Sequence, residues 1–472
     1  MTNISRERGD RGISAAVISA TVTSAAAPLL LAVFSVGMLA QGGYYPRVRW
    51  YLGLLLVGVV LAALTSRPLA RADVDLAFAV PVVGLAGWAL LDGVLHGTPG
   101  YGAGYAVLLA GVLAVVFSSR RLPAASRESV LAGLILLGTA VAGLGWLGVI
   151  LHRESWAWLG QGLWRASSTL TYPNATAAVL AVLVLLCLAL LTERPRSVPL
   201  GLAATALLTG LAGTLSRAGL LGFAVGVAVL AATVGLRAVW QVGRAPLLGA
   251  VVATAGLVPS IPASTPPQPV LAAVALVVGL ALGAALPAVR PCMRLGFTGI
   301  VLGGTAVLLV GSTGMHRAVL LLSDTRLTLG SPERVDVFRA ALRASASHLV
   351  TGTGPGLTDL TWSRPSGGVS VFRYAHNEYL QVLIELGIVG AVLLLAVLLG
   401  VFRSLVRART GAGAVGAGVL AGAAALAVHA GLDFVWHLPA IPLMAAGLVG
   451  LARSDEPARL HLSAVPTGRD PS

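Results

Sequence analysis

About fourteen apolar runs, most of them roughly 16–25 residues long, decide what this chain can fold into. They lie near residues 13–40, 50–65, 76–95, 101–117, 129–151, 175–191, 200–215, 218–235, 247–262, 270–289, 297–311, 382–402, 414–435 and 439–452. As a helix, a run of that length spans roughly 30 Å, the thickness of a bilayer's hydrocarbon core. The bilayer offers backbone groups no water, so only helices or a closed barrel can cross it. A barrel would show short segments of alternating hydrophobicity, and none occur. Charged residues make up 11 % of the chain, against about a quarter in soluble domains. The expectation is an all-α polytopic membrane helix bundle of about 12–14 transmembrane helices. The count turns on the Pro259–Pro269 region and on the short second run.

Charge between the runs sets orientation. With a cytoplasmic N-terminus, twenty Arg fall in inner segments and five (Arg47, Arg49, Arg153, Arg165 and Arg217) in short outer ones. This positive-inside bias predicts a multi-pass protein of the cytoplasmic membrane with both termini cytoplasmic. All 32 basic residues are Arg, which looks like high-GC coding and does not mark each guanidinium as selected. The net charge of +14 is scattered between spans, so no nucleic-acid partner is expected. Cys187 and Cys292 form no disulfide framework. Met1 to Gly12 is charged and runs into apolar sequence without a cleavage site, which reads as a signal anchor.

Five segments follow. They are a cytoplasmic N-terminus (1–12), an N-terminal bundle of about eleven spans (13–311), an extracytoplasmic loop (312–381), C-terminal spans (382–452) and a polar tail expected to be disordered (453–472). The loop is the outlier. It holds Arg317, Arg326, Arg334, Arg339, Arg343, Arg364 and Arg373. Long loops escape the charge rule, so topology does not account for them. An outer-face Arg cluster suits an anionic, phosphate-bearing ligand.

Within the loop, Ser331-Pro332-Glu333 opens an amphipathic helix, with Val335, Phe338 and Leu342 on its apolar face. The Gly-rich turn Thr351–Gly356 follows, without the Gly-Lys-Ser/Thr of a P-loop. Residues 357–373 look irregular. A further helix is expected to begin near Ala375, with His376, Tyr379, Leu380 and Leu383 on one face and Glu378, Gln381 and Glu385 on the other. Glu385 enters a span, so its carboxylate should face protein or a wet cavity.

The order of motifs resembles the bacterial O-antigen ligase and polymerase superfamily of membrane glycosyltransferases. The residues that carry the resemblance are His376-Asn377-Glu378-Tyr379-Leu380 before Glu385-Leu386-Gly387, and the Arg334–Ala341 helix before the Gly-rich turn. Upstream lie Ser216-Arg217-Ala218-Gly219 and Tyr172-Pro173-Asn174. The likeness covers about residues 165–225 and 330–440; the N-terminal spans match in hydropathy alone.

The resemblance implies an inverting, metal-independent transfer at the outer face of the membrane. A glycan would move from undecaprenyl pyrophosphate to a hydroxyl of a glycan, lipid or protein acceptor, within membrane lipid and with no cofactor. His376 would be the general base, and Arg217 and Arg334 would hold the pyrophosphate, with Arg326 a third candidate. The chemistry agrees, because an imidazole can accept a proton near neutral pH and Arg forks can neutralise a leaving diphosphate. Asn174, Tyr172, Asn377, Tyr379, Glu378 and Asp433 are supporting candidates.

Each residue also has a plain structural reading. Arg217 suits a hairpin end at the headgroups, Arg334 a helix surface, and Asn174 and Tyr172 a span N-cap and an anchor. Trp156, Trp158 and Trp164, around Arg165, suit an interfacial belt or a sugar platform. Asp433 could orient a catalytic side chain or pair with an Arg. Asp92 and His96 have no evident partner. Three alternatives stay open: a polysaccharide polymerase of the same superfamily, a non-catalytic relative that binds lipid-linked glycan to organise cell-envelope assembly, and a transporter or flippase of lipid-linked glycans. Against a transporter or flippase, no internal repeat is visible.

Overall fold

The computed structural model describes residues 25–285, 332–363, 369–409 and 413–452. Ten helices come first: α1 (Ala25–Leu39), α2 (Pro46–Ser66), α3 (Leu76–Leu95), α4 (Pro99–Arg120), α5 (Ala124–Ile150), α6 (Pro173–Glu193), α7 (Val198–Gly213), α8 (Arg217–Val234), α9 (Leu236–Leu257) and α10 (Pro269–Ala285). A hairpin of β1 (Ala157–Gly160) and β2 (Leu163–Ala166) interrupts them after α5. After α10 come α11 (Pro332–Ser347), β3 (Leu360–Ser363), β4 (Val369–Phe372), α12 (Glu378–Arg409), α13 (Gly413–Ala430) and α14 (Ala440–Leu451). Nine helices among the described residues are long and apolar enough to cross a membrane, and α1, α7, α10 and α14 are shorter apolar helices. The chain is a polytopic all-α membrane protein. The run near 297–311 lies outside the described residues.

The sequence explains where helices start and how closely they pack. α2, α4, α6, α10 and α11 all begin on Pro, whose missing N–H costs nothing in the first turn. Small residues then let helices approach, as expected where lipid supplies no hydrophobic drive between them. Gly249 faces the Gly279 carbonyl across α9 and α10, and Gly222 faces the Ala425 carbonyl across α8 and α13. α6 is the central post, with 89 % of its most apolar window buried. Its N-terminal end therefore lies inside the assembly of loops at one end of the bundle.

The two ends of the bundle differ in chemistry. At one, buried Arg121 donates to the Ala63 carbonyl at 2.9 Å and to Asp73 at 2.6 Å. Charge counting reads Arg121 as a topology marker; the structure makes it a clamp between loops. At the other end lie the β hairpins, the Gly-rich turn and the segment between α13 and α14. The segments expected outside by charge counting therefore gather at one end, which the structure shows without locating a membrane.

Three expectations need correction. Residues 357–373 include the β3–β4 hairpin, with Leu360 opposite Phe372. On α11, Phe338 and Leu342 are exposed, each 47 %, while Val337, Ala340 and Ala341 are buried against Leu360, Ala375 and Ile384. The buried face is the one with small side chains, which permits close packing on α12; the Val335 side chain lies outside the described residues. Finally, α13 ends at Ala430, so Asp433 sits in a connecting segment and not in the expected span to 435.

α12 is broken at Gly387 (φ 63°, ψ −166°), and neighbouring segments take up backbone groups at the break. Thr353 N–H donates to the Ile384 carbonyl at 2.8 Å, Gly354 N–H to the Glu385 carbonyl at 3.1 Å, and Ile388 N–H to the Leu349 carbonyl at 2.8 Å. Trp88 Nε1–H donates to the Leu386 carbonyl at 2.9 Å. Broken helices survive at membrane depth when neighbours satisfy the freed groups in this way. Glu385, 3 % exposed, accepts from Tyr105, Thr358 and Gln381 at 2.7, 3.0 and 2.6 Å. It faces protein, as expected. A Cβ at Gly387 would run into the Val350 carbonyl. Gly387→Ala should therefore cost about 2 kcal/mol or more from strain at positive φ and the displaced turn. A fall in melting temperature, or loss of monodisperse protein in detergent, checks this.

Candidate functional site

The segment before α12 presents His376 in an unusual way. Asn377 caps the helix, its side-chain oxygen accepting the Leu380 N–H at 3.0 Å. His376 thus precedes the helix and does not share a helical face with Tyr379, Leu380 and Leu383, contrary to the periodicity reading. Its φ is +50°, a left-handed conformation uncommon for a residue with a side chain. Such strain persists where surroundings over-determine it, often at functional sites.

What holds His376 is Asp433. His376 Nδ1 lies 3.1 Å from Asp433 Oδ1. Asp433 is fully buried and accepts from the Tyr172 hydroxyl at 2.9 and 2.8 Å and from the Phe434 N–H at 2.8 Å. The Asn174 side-chain amide donates to its other oxygen. Burial alone would push the Asp433 carboxyl up; hydrogen bonding and charge from His376, with the bonds from Tyr172 and Phe434, outweigh it and hold the group below its ordinary value. The stabilisation is therefore complete above the unfolded carboxyl range and is lost as pH falls through the lowered folded value.

Asn174 is in turn fixed by Arg165, whose Nη2–H donates to its side-chain oxygen at 3.0 Å. Arg165 Nε–H donates to the Thr214 carbonyl at 2.9 Å, just before the turn carrying Arg217. Arg165 is 7 % exposed. It ties β2, α6 and the α7–α8 turn together. Asn174 serves the same network and is not the span N-cap: Tyr172 occupies the N-cap position, with no side-chain capping bond. Phe434 is stacked between Tyr172 and Tyr374, with ring centroids 5.0 and 4.6 Å away, and meets His376 edge-on at 5.0 Å.

Of the candidates named from sequence, His376, Asp433, Tyr172 and Asn174 form one hydrogen-bonded cluster. Asn377 and Glu378 lie at the start of α12 beside it. Tyr379 instead anchors α12 on α13, donating to the Ala427 carbonyl at 2.7 Å. Arg217 is the exposed first residue of α8, and Ser216 caps that helix through the Gly219 N–H at 3.1 Å. Arg326 lies outside the described residues, and so does the side chain of Arg334, although its backbone is in α11. Asp92 and His96 pair with each other at 3.2 Å. Sequence reading passed over Phe434, Tyr374 and His437. The spacing His429, Asp433, His437 was the available signal for the last of these.

Fold and site together define a polytopic α-helical membrane protein with a His–Asp pair braced at one end of its bundle. Residues 202–395 match the Wzy_C family model, O-antigen ligase, a similarity that supports the resemblance to the O-antigen ligase and polymerase superfamily. Over that stretch the chain is similar to membrane enzymes of the O-antigen ligase or polymerase type. The matched stretch includes Arg217, Arg334 and His376; Arg165, Tyr172, Asn174 and Asp433 lie outside it. No curated protein matches the chain at a significant level.

Proposed function

We propose that this protein transfers a glycan from undecaprenyl pyrophosphate to an acceptor hydroxyl at the outer face of the cytoplasmic membrane, in one inverting step that needs no metal. The observation that carries the reading is the His376–Asp433 pair. Asp433 engages Nδ1, which leaves Nε2 as the basic nitrogen, the tautomer control that a carboxylate exerts on a catalytic imidazole.

In this step Nε2 takes the acceptor's hydroxyl proton as the acceptor oxygen attacks the anomeric carbon. The bond from that carbon to the pyrophosphate oxygen breaks on the opposite face. Undecaprenyl pyrophosphate leaves with the electron pair, and Asp433 stabilises the imidazolium that remains. Arg217, Arg334 and Arg326 are assigned to the pyrophosphate, where guanidinium forks offset its growing charge. The acceptor is a glycan, another lipid or a protein; the proposal specifies only its hydroxyl.

Two assays test this reading. Purified protein with an undecaprenyl pyrophosphate-linked glycan and EDTA should give a transferred product; dependence on a divalent metal would sink the metal-free step. In proteoliposomes, vectorial movement of intact lipid-linked glycan without transfer would support the transporter instead. Arg217→Ala should lower turnover by about 10²-fold, the scale of removing one donor from a developing anion. Unchanged kinetics would remove Arg217 from the site.

A further inference from the structure

Two segments meet at the site: 374–378, which leads into α12, and 433–437, between α13 and α14. Two acid–imidazole contacts join them, running in opposite senses. His376 of the first meets Asp433 of the second at 3.1 Å, and Glu378 of the first meets His437 of the second, Oε2 to Nδ1, at 3.3 Å. Both carboxylates are buried, while the two imidazoles are 23 % and 22 % exposed. The Glu378–His437 contact is an ion pair off hydrogen-bond geometry. Glu378 also accepts the Trp436 N–H through Oε1. Tyr374 packs edge-on to His437, ring centroids 4.5 Å apart.

The 433–437 segment is not regular structure. Its Phe434 and Trp436 amides go to carboxylates, of Asp433 and Glu378 respectively. The first of these bonds is internal to the segment and the second ties it to α12 through Glu378; Tyr172 and Asn174 hold the Asp433 carboxylate itself.

We propose that His437, through its ion pair with Glu378, is a positioning residue for the His376–Asp433 dyad. The proposal rests on the reading of His376 as the base. His437 touches no reacting atom; it fixes the segment that carries Asp433. The groups that face it are Glu378 and Glu385 of α12, Arg49 of α2 and Tyr374. Burial opposes its protonation and so does Arg49, but the charge and contact of Glu378, with the charge of Glu385, raise its pKa above the ordinary value. The pair is therefore intact below that raised value and is lost as pH rises through it. Turnover should carry an alkaline limb that belongs to a residue outside the chemistry.

The test uses the full-length protein with His437→Gln, Glu378→Gln and the double variant. Each single variant should lower kcat by about 10-fold with donor KM within about two-fold, as expected for loosened geometry at the reacting atoms. His437→Gln should lose the alkaline limb of the kcat profile, and the double variant should be no worse than either single one, as partners in one contact require. Diethyl pyrocarbonate labelling of His376, resolved by peptide, should rise several-fold in both single variants. Unchanged kcat and pH profile, strictly additive losses or unaltered labelling would overturn the proposal. So would losses that follow a lower melting temperature with normal kcat per folded molecule. The labelling needs no substrate: if it rises as expected while the wild type transfers no glycan, the positioning stands and the reaction assigned to the dyad falls.

Discussion

His376→Ala is expected to lower glycan transfer by about 10³-fold or more, within the range a positioned general base contributes. The acceptor hydroxyl is a weak nucleophile until its proton leaves, and the proposed step gives His376 the part of taking it. Asp433 is already committed to His376, Tyr172, Asn174 and the Phe434 amide. Folding should survive the change, because the His376 side chain is partly exposed and its removal leaves Asp433 three other donors. Single-turnover product formation, with the melting temperature as control, measures the effect on chemistry apart from folding.

Asp433→Asn is expected to cost about 10²–10³-fold in turnover, less than losing the base and more than losing a peripheral contact. An amide keeps the shape of the carboxylate but not its charge, so the imidazolium formed during transfer loses its counter-ion. It also turns one acceptor into a donor. Asp433 accepts at both oxygens, from Tyr172, Asn174, the Phe434 amide and His376. An Asn side chain would therefore set an N–H against an N–H or O–H in a fully buried site, at about 1–3 kcal/mol. The variant should show a lower melting temperature as well as slow turnover, and Asp433→Glu should not rescue it, since one more methylene shifts the carboxylate away from four fixed donors in a fully buried position.

The membrane bundle was legible because apolar runs of span length have few other ways to fold. Thirteen of the apolar runs correspond to described helices, including the short second one, which α2 extends to Pro46–Ser66. The site was legible as residues but not as an arrangement. His376 and Asp433 were both visible, but they are 57 positions apart, and Tyr172 and Asp433 are 261 apart. Periodicity cannot report contacts of that range.

Local misreadings had local causes. Helical spacing carried His376 into α12, whereas the Asn377 cap and a left-handed His376 end the helix first. Arg165 received no role of its own among its Trp neighbours, because nothing in its local sequence shows that it reaches Asn174 and Thr214. On α11, hydrophobicity pointed to Phe338 and Leu342, but packing selected the smaller side chains.

A His376 that does chemistry and a His376 that merely holds substrate differ in what its loss does to binding and to turnover. Donor binding and turnover should be measured on one preparation of His376→Ala, with EDTA present and the same undecaprenyl pyrophosphate-linked glycan. The expected result is binding within about three-fold of wild type and turnover reduced by about 10³-fold, the pattern of a group that acts in the transition state alone. Turnover within about ten-fold of wild type, or binding lost in step with turnover, would contradict it.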